Sequence, residues 1–280
     1  MDAIAWCEER LWVPHNPLSA SLLFVATEHQ KPILALRAVH SELAQMTALS
    51  HEPGLAQAKL NWWREAFLRQ HTHPALEALD QLGLRERIDV TRLLALCDAV
   101  EASLDLSRSA TIEQAWAHCQ SLGGEALELE VAMLSQHTPT QGVAAAVRDL
   151  GAAGYWLRQV RDLSADARQG RWFVPLELQA EHQISRQEVI EGPAEAKWAR
   201  LIEALVAVAS QRLMAAQKAL SGQIAPALVH GLIMSALDQR LAKHLTQAPA
   251  RVLTERVLPG HLGNVWTAWR QARQCRAKAG

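Results

Sequence analysis

Leu150 to Pro175 reads LGAAGYWLRQVRDLSADARQGRWFVP, and the rest of the chain is read outward from this stretch. It opens on small residues, with Gly151, Ala152, Ala153 and Gly154 allowing a neighbour to approach closely. Arg158, Asp162 and Asp166 follow at intervals of four, which stacks them along one side of a helix. Gly170 and then Pro175 stop that helix, with Arg168 and Arg171 beside them. Two carboxylates one turn apart suit Mg²⁺, which takes carboxylates together with substrate phosphate oxygens. Arginines just beyond can hold a phosphate through forked hydrogen bonds. The same residues also read as a solvated Arg–Asp–Asp salt-bridge face, so the spacing alone leaves both readings open.

Composition points to an all-α protein. Hydrophobic residues make up 49% of the 280, enough for a substantial core. Alanine and leucine dominate and β-branched clusters are few. Net charge is −1, which gives nucleic-acid binding no support. The four cysteines, Cys7, Cys97, Cys119 and Cys275, are scattered and form no C-x-x-C pair, as in a reduced cytoplasmic protein. No apolar run approaches the roughly 20 residues needed to cross a bilayer. Asp2, Glu8 and Glu9 argue against a targeting peptide. Without a repeat or a linker, residues 1–280 are expected to form one domain.

The spacing of apolar residues and breakers predicts a succession of helices. A short one ends before Pro14, and Ser19 is placed to cap the next. A long helix over 32–49 has Pro32 in its first turn, with Leu36, Val39, Leu43 and Met46 inward. Another over 55–69 carries Trp62 and Trp63, expected to pack between helices. Thr111 and Gln114 form a capping-box pattern that opens a helix to about Ser135. Gly123 and Gly124 inside it predict a close crossing or a kink. Two long helices follow over 194–221 and 225–245. The last begins at His261 and carries Arg270, Arg273, Arg276 and Lys278 without an acid. That end reads as a solvated tail at a helix C-terminus, or as a contact with anionic lipid or an acidic partner.

The central stretch resembles the second aspartate-rich motif of the squalene/phytoene synthase family, roughly R-D-x-x-x-D-x-R-x-G-R-x-Y-x-P. Arg161, Asp162, Asp166, Arg168, Gly170, Arg171 and Pro175 match, and Phe173 takes the tyrosine place. The resemblance runs from about Ser19 to Leu245 and includes W-W-R-E at Trp62–Glu65. It implies the class I isoprenoid synthase fold, a helical bundle around a central cavity that holds a prenyl diphosphate on Mg²⁺. Asp162 and Asp166 then become the metal ligands, with Arg158, Arg168 and Arg171 on the diphosphate side.

The other half of that pattern is missing. In the family a first motif, D-D-x-x-D, follows a segment here read as Ala35-Leu36-Arg37-Ala38-Val39. Ala44, Gln45 and Ala48 stand where its aspartates belong, and Glu42 lies about half a turn earlier. Tyr155 is the only tyrosine, so the aromatic cavity of a full synthase is not expected unchanged. S-L-L-F and A-L-R-A-V-H-S-E-L-A-Q look like a divergent branch that includes a respiratory complex I assembly factor.

The resemblance therefore implies an altered or non-catalytic prenyl-lipid-binding protein, with a protein partner in respiratory-complex assembly and contact with the inner membrane surface. An active Mg²⁺-dependent head-to-head prenyl transferase acting on farnesyl or geranylgeranyl diphosphate is the alternative. A helical scaffold whose central arginines and aspartates only pair with each other is the third reading.

Overall fold

Side-chain caps and prolines set most of the helix starts. The computed structural model describes residues 2–14, 16–49, 52–105 and 109–279, without the side chains of 48, 49, 53, 105 and 279. In chain order the helices are α1 (Ala3–Leu11), α2 (Pro17–Leu22), α3 (Thr27–Gln45), α4 (Pro53–Phe67) and α5 (Pro74–Gln81). Then come α6 (Val90–Asp105), α7 (Ile112–Cys119), α8 (Glu125–Leu134), α9 (Gln141–Arg168) and α10 (Leu176–His182). The chain continues with α11 (Arg186–Glu191), α12 (Glu195–Leu220), α13 (Val229–Gln247), α14 (Arg251–Thr254) and α15 (His261–Ala279). Among the described residues there is no strand, and the fold is all-α as expected. No described helix is long and apolar enough to cross a membrane.

Three local expectations need correction. Asn16, not Ser19, caps α2: its side-chain oxygen accepts from Leu18 N at 3.0 Å, and Pro17 takes the first helical position. The helix expected over 32–49 starts earlier, at Thr27, with Pro32 inside it. Proline there loses one helical hydrogen bond, to the carbonyl of Glu28, an exposed residue whose carbonyl water can serve. That helix also ends at Gln45 and tightens into a 3₁₀ turn over Met46–Leu49. The helix expected from Thr111 to Ser135 is divided. Thr111 does cap α7, accepting from Gln114 N at 3.2 Å, but Gln120–Gly124 form a π-helical turn before α8.

That turn is where the glycines of the sequence meet. Gly123 lies against Gly151 of α9, and a Cβ on Gly123 would sit 2.5 Å from both the Gly151 oxygen and the Tyr155 Cβ. A Cβ on Gly151 would likewise collide with the Gly123 carbonyl. Two helices therefore cross backbone to backbone, which only glycine permits. One turn on, Gly154 makes room for Asp238 of α13.

The 28-residue α9 forms the axis of the molecule and packs against α7, α8, α12 and α13. Its Trp156 is fully buried and donates to the Leu205 carbonyl of α12 at 2.8 Å. Two apolar clusters divide the interior, one built on α9, α12 and α13, the other on α1 to α6. Leu134, Tyr155 and Val229 pack against both. A polar chain crosses between the two halves. Ser21 Oγ lies 3.0 Å from His230 Nε2, His230 Nδ1 lies 2.6 Å from Glu130, and Arg37 Nε donates to Glu130 at 2.7 Å. Burial pushes the Glu130 carboxyl up, but Arg37 and His230 outweigh it and hold it at about 2.

Candidate functional site

A cavity of about 450 Å³ opens beside α9, within the size usual for small-molecule sites. Its α9 wall is a stripe of Tyr155, Gln159, Asp162 and Asp166, continued by Gln169 just past the helix end. Those residues follow the three-and-four spacing that keeps one side of a straight helix in register. Gly170 adopts φ +85°, a left-handed turn that ends α9 and folds Arg171, Trp172 and Phe173 back over the cavity. Ser103 and Leu104 of α6, Ala115 and His118 of α7, Ser109 and Thr47 complete the lining.

Asp162 and Asp166 thus share one cavity, but each is already held by arginine. Asp162 is gripped twice: by Arg161 at 2.9 and 2.6 Å, and by Arg256, beyond α14, at 2.8 and 3.0 Å. Burial raises its carboxyl, yet the two forks outweigh it and keep it below the usual carboxylate range. Asp166 pairs with Arg171 alone. Burial dominates there, and with the charge of Asp162 nearby it raises the Asp166 carboxyl in spite of that arginine. Arg171 Nη1 and Trp172 Nε1 are buried at this wall without a partner, two donors open to an oxygen-rich ligand.

The other residues singled out from the sequence are distributed differently. Arg158 does not join the aspartate ladder: a four-residue step drifts around a helix, and its guanidinium turns to Asp238 of α13 at 3.3 Å. Arg168 also leaves the cavity, donating to Ser164 Oγ at 2.8 Å and to the Leu253 carbonyl at 3.0 Å. It anchors α14 to α9. Glu42 faces α1, paired with Arg10 at 2.8 Å and bonded by Gln45 at 3.3 Å. Of the segment that carries Ala44, Gln45 and Ala48, Thr47 lines the cavity, while Ala44 and Gln45 do not. The 3₁₀ turn after α3 rotates Thr47 inward; the side chain of Ala48 lies outside the described residues.

Arg256 carried no signal in the sequence, because its approach to Asp162 spans 94 residues of chain. Gln159, Tyr155, His118 and Thr47 were equally hidden as cavity residues. The three-and-four spacing from Asp162 and Asp166 is the signal that could have found Gln159 and Tyr155.

A Mg²⁺ on the two aspartates would have to replace arginine contacts, those of Arg161 and Arg256 at Asp162 and that of Arg171 at Asp166. The aspartates do not fit a cluster, since no group of three or more His, Cys, Asp or Glu among the described residues is arranged around a metal position.

Comparison with known proteins places this geometry. The squalene/phytoene synthase family profile matches residues 16–262. "Phytoene synthase 2, chloroplastic" of Zea mays is 23% identical over 120 residues, a match covering 41% of this chain and 30% of the maize protein. A crystal structure of a dehydrosqualene synthase in complex with ligand superposes with TM-score 0.81 at 13% identity, covering 98% of this chain and 97% of the other. Squalene synthase HpnC from Alicyclobacillus acidocaldarius superposes with TM-score 0.69 at 15% identity, covering 89% and 94%. With its full-length fold and its profile match over nearly the whole sequence, the chain belongs to the squalene/phytoene synthase family.

Proposed function

We propose that this chain binds a prenyl diphosphate in the cavity beside α9 without ionising it at a rate useful to a cell. The observation that carries this reading is the wall facing Asp162 and Asp166. Among the described residues it offers Thr47, Ser103, Ser109 and His118, and no carboxylate. When bound, Mg²⁺ on Asp162 and Asp166 would neutralise diphosphate charge from one side only. Each 1.36 kcal/mol of missing transition-state stabilisation is a tenfold loss in rate, and a lost set of metal ligands removes several kcal/mol as an order of magnitude.

Binding is less demanding. Arg171, with its unpartnered Nη1, can donate to diphosphate oxygens. Arg256 can exchange its contact with Asp162 for one with the ligand. Tyr155, Phe173 and Leu104 offer apolar surface to a prenyl tail. Loss of turnover with retention of a lipid pocket also suits a helper role in respiratory-complex assembly at the inner membrane surface.

Calorimetric binding of a non-hydrolysable farnesyl diphosphate analogue, paired with turnover of farnesyl diphosphate in the same buffer, tests the reading. Mg²⁺-dependent binding without pyrophosphate release, lost in Asp162→Ala, is the expected result. Robust turnover hands the case to an active head-to-head prenyl transferase, the reading favoured by two aspartates sharing one cavity. Absence of binding leaves a helical scaffold.

A further inference from the structure

The last helix reads as two faces. Asn264, Ala268, Ala272 and Cys275 are buried against the body of the protein. Leu262 and Trp266 lie on the opposite side, 84% and 61% exposed, and Leu258 just before α15 is exposed as well. Trp266 and Trp269 sit together with ring centroids 4.7 Å apart, and the guanidinium of Arg273 lies 5.0 Å from the Trp269 ring. Along α15 the outward face therefore runs from leucine through tryptophan to arginine.

Beside this face, α12, α13 and α15 enclose a groove of about 580 Å³. Arg240, Lys243, Arg270 and Lys278 line it, and among the described residues no acid does. Arg240 lies against Gly263, where any Cβ would collide with its guanidinium, and its buried Nε has no partner. None of Arg240, Lys243, Arg270, Arg273, Arg276 and Lys278 makes a salt bridge among the described residues. Elsewhere many arginines, such as Arg37, Arg64, Arg92, Arg148 and Arg251, are paired with acids.

We infer that this face docks on an anionic phospholipid bilayer, with Leu262 and Trp266 at the acyl boundary and lipid phosphates in the α13–α15 groove. Unpaired cations need an anionic counterpart, and exposed tryptophan and leucine beside them need an apolar one. A membrane interface supplies both within one helix width, and a helix of this pattern lies in its plane. Free phosphate satisfies the cations and leaves Leu262 and Trp266 in water. A second copy of this chain brings the same positive charge to the contact.

The test is co-sedimentation of the full-length protein with vesicles of phosphatidylcholine alone, and with vesicles holding about one third phosphatidylglycerol. Binding to the anionic vesicles only, weakened by salt, is expected. Arg270→Gln, Arg273→Gln and Arg276→Gln together lower the partition coefficient roughly 100-fold. Quenching of tryptophan emission by brominated phosphatidylglycerol drops in Trp266→Phe, while that variant keeps its circular dichroism and most of its binding. Equal binding to both vesicle types, or to neither, overturns the inference, and so does unchanged binding of the triple variant. Saturable binding of glycerol 3-phosphate without vesicle binding overturns it, as does a doubling of sedimentation mass abolished by Leu262→Ser. None of these readouts uses the cavity beside α9, so they stand or fall apart from prenyl diphosphate binding.

Discussion

Asp162 shows how much a carboxylate's neighbours alter its chemistry. It is half of the D-x-x-x-D pattern, yet Arg161 and Arg256 satisfy both of its oxygens. Arg256 is well exposed, so its fork contributes at most about 1 kcal/mol and is the contact a cation displaces most easily. Arg256→Ala is therefore expected to tighten Mg²⁺ binding by no more than about fivefold, read by calorimetry without ligand. Arg161 is different. It is buried, and Asp162→Ala leaves it without its carboxylate, so that variant should lose about 3 kcal/mol of stability as well as ligand binding. Thermal unfolding of Asp162→Asn beside Asp162→Ala separates the two losses, because the amide still accepts from Arg161.

Between helices, two kinds of contact hold the cavity in shape. The Gly123–Gly151 crossing brings α9 against the π-turn at backbone distance. Gly151→Ala should cost about 1–3 kcal/mol through overpacking, and shift Tyr155, the first residue of the cavity stripe. A lower melting temperature together with weaker analogue binding is the expected pair of readouts. The second contact is the Ser21–His230–Glu130–Arg37 chain linking α2, α13, α8 and α3. Glu130 is held at about 2 against its usual 4.5, so its ionised form stabilises the fold above pH 4.5. That contribution fades as pH falls from 4.5 toward 2. Glu130→Gln should flatten the melting-temperature profile across that acid window, while lowering stability at neutral pH by about 3–5 kcal/mol.

Across the whole molecule, the two apolar clusters meet at Leu134, Tyr155 and Val229, and α9 contributes to the site as well as to the core. We expect the chain to unfold as one cooperative unit, with calorimetric and van't Hoff enthalpies agreeing. Tyr155→Ala, which deletes a contact shared by both clusters, should broaden that transition. A variant retaining the sharp wild-type transition would mean that the two halves are joined elsewhere.

The helical character of the chain, the glycine contacts and the aspartate pair were legible in the residues, because each rests on short-range chemistry. Helix propensity, a capping threonine and small residues at helical spacing act within a few positions of one another, so Thr111, Gly123 and Gly151 announced their roles. The phase of each side chain was another matter. Whether Arg158 turned to Asp162 or to Asp238, and whether Ala44 or Thr47 faced the cavity, depended on helix drift and on a 3₁₀ turn. Those small rotations are set by packing against α13 and α6, which no local pattern encodes. Arg256 is the clearest instance: only the docking of α14 on α9 brings it to Asp162, where it adds a second fork to the one that Arg161 makes from the neighbouring position.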